Sequence, residues 1–304
     1  MPVSDSPAPR TPNVFDPALW IGQGKRYIVE ELPDYVIDTK CDLLDLPQDA
    51  KNCLPLNKMP ISVFINHHLP TKLSELVTVC VEDCFSKDSP TTNIATLADR
   101  PIPSDETIRL LDKAMGQAWL DGNRSIIDWR GDERIDFWAI TFWREASMVI
   151  AKQKEWRYAY SSFQSAKQGL PSDIKKSVEN LFNSLGWNVQ LPILRAVHSN
   201  ELTAFFGIRW LNDNHIDMMV EEMNSRITSN PDLIGKVAVA PAFFATDIMT
   251  ISKTSHARSA LLSRYENSVK RGKVQMIYFP VNVHNSHWIA AYIDIQNSRV
   301  GYGE

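Results

Sequence analysis

Residues 274–304 read VQMIYFPVNVHNSHWIAAYIDIQNSRVGYGE. Two runs rich in β-branched and aromatic residues, 274–283 and 286–295, precede the polar turn Gln296-Asn297-Ser298 and a short return run, 299–304. So short a turn makes the last two strands antiparallel neighbours. The hairpin folds Glu304 back to within a couple of residues of His287, on a strand about 4.8 Å away laterally, so a carboxylate can reach an imidazole. A carboxylate so placed fixes the ring tautomer while the other ring nitrogen draws a proton from a nucleophile. The other reading of His287 is a histidine buried among Ile289, Ala291 and Ile293.

Working back along the chain, 201–227 reads ELTAFFGIRWLNDNHIDMMVEEMNSRI. Asp213 can cap a helix whose apolar face is Ile216, Met219, Val220, Met223 and Ile227. Trp210 then falls in the turn before the helix, either presented by backbone or covering the helix end. Residues 240–252 form a short aromatic segment, and 255–271 a helix whose terminal basic residues suit the macrodipole.

Taken in order, WLND at 210–213, AFF at 242–244, YENSVKR at 265–271, FPVNV at 279–283, His287-Trp288 and GYGE at 301–304 resemble the ubiquitin-like-protease family of cysteine peptidases, which deconjugate or mature SUMO and related modifiers. The resemblance implies an α+β chain: a mainly helical N-terminal region followed by an incomplete papain-like catalytic domain. It further implies that His287 is the catalytic histidine, with Glu304 where the family usually has aspartate. Trp210 and Trp288 match the tryptophans that clamp a narrow tunnel over the modifier's Gly-Gly tail. Glycine, lacking Cβ, passes between two aromatic faces where other side chains cannot. Asp213 and Asn212 would lie at the same mouth, although both could simply cap the helix. The family's oxyanion-hole glutamine and nucleophilic cysteine are expected after the acidic residue. The sequence therefore reads as a peptidase truncated before its nucleophile, with a catalytically dead module binding a ubiquitin-like modifier as the alternative. The implied partner is a SUMO-type modifier with its conjugates, the implied location nucleus or cytoplasm, and no cofactor is implied.

The remaining chain bounds these readings. With 304 residues, 44% hydrophobic and 22% charged, it can bury a sizeable core and hold about two domains. A net charge of −4 supplies no global field for nucleic acid or anionic membrane. No run approaches the roughly 18 apolar residues of a membrane span and no secretory signal opens the chain, which predicts an intracellular protein. Residues 1–17, with five prolines among small polar residues, read as a disordered leader, 18–190 as a mainly helical region and 195–304 as the partial catalytic domain. Within 18–99, IGQGKRYIVEEL and ISVFINHHL read as strands or buried runs.

Three helices stand out in the middle. Ser104 starts one whose Ile108, Leu111, Met115 and Trp119 recur at helical spacing until Gly122. A second covers about 133–167. A third runs from Ser172 to Gly186, which suits a left-handed C-cap. Most of the nine tryptophans lie in this region; at helical spacing they read as core in preference to a base-stacking platform. The region could also be the working part, as an interaction scaffold.

All four cysteines, Cys41, Cys53, Cys80 and Cys84, precede the matched segment, so none is carried over as nucleophile. With His67 and His68 they have the residue types of a zinc site, but the spacing fits no standard finger and no metal is expected. His198, His215, His256 and His284 read as surface or capping residues. No phosphate loop, paired-carboxylate motif or HExxH is present.

Overall fold

The structure, a computed structural model, describes residues 21–22, 42–73, 81–128, 133–191, 197–207, 210–254, 259–284 and 286–303. The leader, most of the IGQGKRYIVEEL run, Cys41, Cys80, His256 and Glu304 lie outside these residues. The chain mixes helix and sheet and divides into two compact units: Met1–Leu56 with Val63–Lys154, and Asn57–Ser62 with Glu155–Glu304.

In chain order the first elements are α1 (Gln48–Asn52), α2 (Ile61–Phe64), β1 (Phe85–Ser86), α3 (Ile94–Asp99), α4 (Asp105–Leu120), β2 (Ser125–Ile127), β3 (Arg134–Ile135) and α5 (Ala139–Ala166). Helix α4 begins where the sequence places it. The Ser104 hydroxyl accepts the Thr107 N–H at 3.2 Å, and Ile108, Leu111, Met115 and Trp119 are buried. They share a core with Ile140, Phe142, Trp143 and Ala146 of α5 and with Phe85, Ile126 and Ile135 of a three-stranded antiparallel sheet ordered β1-β2-β3.

Two sequence expectations are resolved here. The long helix starts at Ala139, not at 133, because Arg134 and Ile135 pair with β2 and the Arg134 carbonyl accepts from Thr91 at 2.8 Å and Thr92 at 3.1 Å. The ISVFINHHL run is buried at Ile61, Phe64 and Ile65 but opens as the helical turn α2, with no strand.

The second unit continues with α6 (Ser172–Ser184), a 3-10 segment Ser199–Phe206, α7 (Asp213–Ser229), β4 (Val237–Val239), α8 (Phe243–Thr254), α9 (Ala260–Lys270), β5 (Met276–Val283), β6 (His287–Asp294) and β7 (Arg299–Gly303). Phe182 of α6 is buried within ring contact of Trp156, Tyr160, Phe163 and Phe206, at centroid distances of 5.2 to 6.0 Å. Gly186 corrects the third expectation. It has no positive φ; α6 ends instead at Leu185 in extended conformation, and Gly186 pairs with Pro60. A Cβ there would meet Val189 Cγ1 at 2.6 Å and the backbone at Asn57 and Lys58 at 2.8 Å, so close approach requires the glycine.

The C-terminal sheet has the order β4-β5-β6-β7, with β4 parallel to β5 and the rest an antiparallel meander, as the hairpin reading anticipates. Helices α8 and α9 cover one face: Phe244 meets Phe279 and Tyr265 edge-on at 5.1 Å each, over Ile277 and Ala291. The aromatic segment at 240–252 is thus largely helix. On another cluster Ile216 and Val220 of α7 pack with Val239, Ala242 and Trp288. Asn224 of α7 pairs its side-chain amide with both backbone groups of Val239, at 2.8 and 3.1 Å, satisfying β4 as a neighbouring strand would. The short β4 was not singled out in the sequence, where Val-Ala-Val is its signal.

Candidate functional site

His287 opens β6, opposite Val283 on β5. It is exposed, so it is not the buried histidine that its apolar neighbours would also permit. Strand alternation sends its side chain to the opposite face from Trp288. The β6–β7 turn is held by Asp294, whose carboxylate accepts from the Asn297 backbone at 3.0 Å and its amide at 2.8 Å; these bonds keep the Asp294 carboxyl below its ordinary range. Ser298 takes a left-handed φ of 49°, and the return strand sets Gly303 opposite Ala290. Glu304, the orienting carboxylate of the sequence reading, lies outside the described residues.

Trp288 is half-buried. Its ring packs on the cluster of Ile216, Val220 and Val239, and its Nε1–H donates to the Leu211 carbonyl at 2.8 Å. This bond joins β6 to the turn that carries Trp210. Trp210 itself is 73% exposed. Asn212, not Asp213, is the N-cap of α7: its side chain accepts the His215 N–H, and Asp213 is the first helical residue. Next to Trp288 an apolar groove of about 680 Å³ runs between α7 and the sheet, lined among others by Met219, Met223, Tyr278, Pro280 and Ala290.

Of the two readings of His215, surface or capping, the second holds: it closes a capping box with Asn212, and it is 4% exposed, a burial the sequence did not indicate. An asparagine followed three residues later by a side-chain acceptor was the available signal. His284 is exposed, in the β5–β6 turn with φ 55°. Among the described residues no group of three or more histidine, cysteine or acidic side chains could hold a metal, and no helix is long and apolar enough to cross a membrane.

With this geometry in view, comparison with known families is decisive for one stretch of chain. Residues 209–303 match the Ulp1 protease family, C-terminal catalytic domain. The resemblance read from WLND, His287-Trp288 and the final hairpin therefore holds for this Ulp1-type segment, and the family is one of cysteine proteases. Two solved structures are similar over part of their length: SUMO protease Ulp1 with its catalytic cysteine oxidised to a sulfinic acid, and the C-terminal Ulp1 protease domain in complex with Smt3, the yeast orthologue of SUMO. Each is 23% identical, over 35% of this chain and 43% of the other, with TM-scores of 0.27 and 0.26. The chain thus spans less than half the length of these solved chains. No curated protein matches it.

Proposed function

We propose that residues 195–304 form the part of a ubiquitin-like-protease domain that receives the Gly-Gly tail of a SUMO-type modifier. Trp210, Trp288 and Asp213 line the tail-binding mouth, His287 is the general base, and Glu304 orients its ring. The observation that carries this reading is the Trp288 Nε1–Leu211 bond, because it ties the two tryptophan-bearing motifs into one local structure although they are far apart in sequence. An exposed His287 one residue before Trp288 is consistent with a base that must meet both a nucleophile and a substrate.

In this reading the imidazole takes a thiol proton, the thiolate attacks the carbonyl of the second glycine, and the protonated ring returns the proton to the leaving amine. Water then hydrolyses the thioester to free the modifier and the thiol. The matched segment contains no cysteine, so the thiolate comes from outside it. The same fact favours a second reading, a module that holds the tail without cutting it. The family points to nucleus or cytoplasm as the place of action.

One experiment separates the readings. The 304-residue chain, and the same chain extended through the downstream reading frame, are incubated with a SUMO modifier, unmodified or bearing a C-terminal electrophile. A covalent adduct supports the peptidase, and capture of the unmodified protein without adduct supports the binding module. Neither capture nor adduct overturns both.

A further inference from the structure

The start of α7 is closed by a histidine where glutamate or glutamine is commonly found. Asn212 Oδ1 accepts the His215 backbone N–H at 3.2 Å, and the Asn212 backbone N–H donates to His215 Nδ1 at 3.1 Å. A backbone N–H can only donate, so Nδ1 is the acceptor and the ring proton resides on Nε2. Nε2 lies 3.1 Å from the Glu201 carbonyl, to which it donates, and 3.6 Å from the Glu201 carboxylate. Phe205 meets the ring edge-on at 5.5 Å. Glutamate at this position could close the box but offers no second donor for a neighbouring segment.

One buried ring thus joins the turn before α7 to the 3-10 segment Ser199–Phe206. The same turn is held from β6 by the Trp288 bond to Leu211. We propose that His215 is a positioning residue for the tail-binding mouth: by bridging Asn212 and Glu201 it fixes the backbone from which Trp210 projects. The proposal rests on Trp210 being a tail-binding residue, as argued above. His215 touches no reacting group; it acts through the turn.

The test compares wild type, His215→Leu and His215→Gln in the full chain. It reads affinity for a SUMO modifier with an exposed Gly-Gly terminus, and the indole N–H NMR resonance of Trp288. Leucine fills the site but breaks both bonds, and should weaken binding about tenfold, the size of a lost cap, while moving the Trp288 resonance. Glutamine restores the acceptor for Asn212 and should return both readouts toward wild type. Wild-type binding and an unmoved resonance in the leucine variant overturn the proposal, as does weakened binding that glutamine fails to rescue. Should the leucine variant not fold, His215→Glu, which keeps an acceptor for the Asn212 N–H but has no donor for the Glu201 carbonyl, replaces it: unchanged readouts overturn the proposal, and weakened binding with a moved Trp288 resonance supports it. If wild type itself does not bind the modifier, the tail-binding reading fails. The resonance alone then decides whether His215 positions the turn.

Discussion

The indole nitrogen of Trp288 donates a 2.8 Å hydrogen bond to the carbonyl of Leu211, 77 residues earlier in the chain. Trp288→Phe keeps most of the ring contacts with Ile216 and Val220 but leaves that carbonyl without its donor. The expected cost is about 1 kcal/mol, the usual net value of one hydrogen bond, measured by denaturant unfolding. An unchanged midpoint would mean that the bond does not hold the turn.

Trp210, being 73% exposed, should separate binding from stability. Trp210→Ala is expected to change unfolding free energy by no more than about 0.5 kcal/mol, as for most surface substitutions. Under the proposed function it should weaken capture of a SUMO modifier about tenfold, since truncation of an aromatic anchor typically costs more than 1 kcal/mol. Equal capture by both proteins would remove Trp210 from the mouth.

Asn224 stands in for a strand beside Val239, accepting from its N–H and donating to its carbonyl. Asn224→Leu removes the amide from both groups, leaving the Val239 carbonyl only the Tyr265 hydroxyl at 3.3 Å and its N–H without that acceptor, and a loss of about 1–2 kcal/mol is expected. Hydrogen exchange should report it locally, as faster exchange of the Val239 amide. Retained protection at Val239 would show that the amide pair contributes little.

Gly186 predicts a steric effect. Gly186→Ala places a Cβ 2.8 Å from the Asn57 carbonyl oxygen and the Lys58 Cα, backbone atoms that cannot swing aside as a side-chain tip would. Destabilisation of about 1–3 kcal/mol, the range for overpacking, is expected in chemical denaturation. A neutral alanine would require this pairing with Pro60 to shift without cost.

Acid should act through Asp105. The Lys72 ammonium and the Ser147 hydroxyl, the latter 2.5 Å away, hold its carboxyl below the ordinary value. A depressed folded pKa contributes stability that is present above the unfolded value, about 3.9 for aspartate, and is lost as pH falls through the folded one. Asp105→Asn, which does not titrate there, should lose less of its melting temperature on acidification below about pH 4 than wild type. Parallel curves would show that Lys72 gives Asp105 no stabilising contact. The carboxylate is largely exposed, so the effect at neutral pH is small.

What depends on neighbours along the chain was legible in the residues alone. Ser104 and the spacing of Ile108, Leu111, Met115 and Trp119 specified a capped amphipathic helix, and the polar turn at 296–298 made the last strands antiparallel. The order of WLND, His287-Trp288 and the closing hairpin was enough to recognise the Ulp1-type segment. These are local signals, set by capping, periodicity and turn length. What depends on remote partners emerged only in the folded chain. Arg134 and Ile135 became strand because β2 takes their hydrogen bonds, and Gly186 met a crowded backbone where a left-handed cap was expected. Val237–Val239 became a sheet member only beside β5 and Asn224. His215, a polar residue on a helix start, is buried because Glu201 and Phe205 close over it. A buried polar group is stable only when its hydrogen bonds are met, and those partners are fixed by the fold, not by the order of residues.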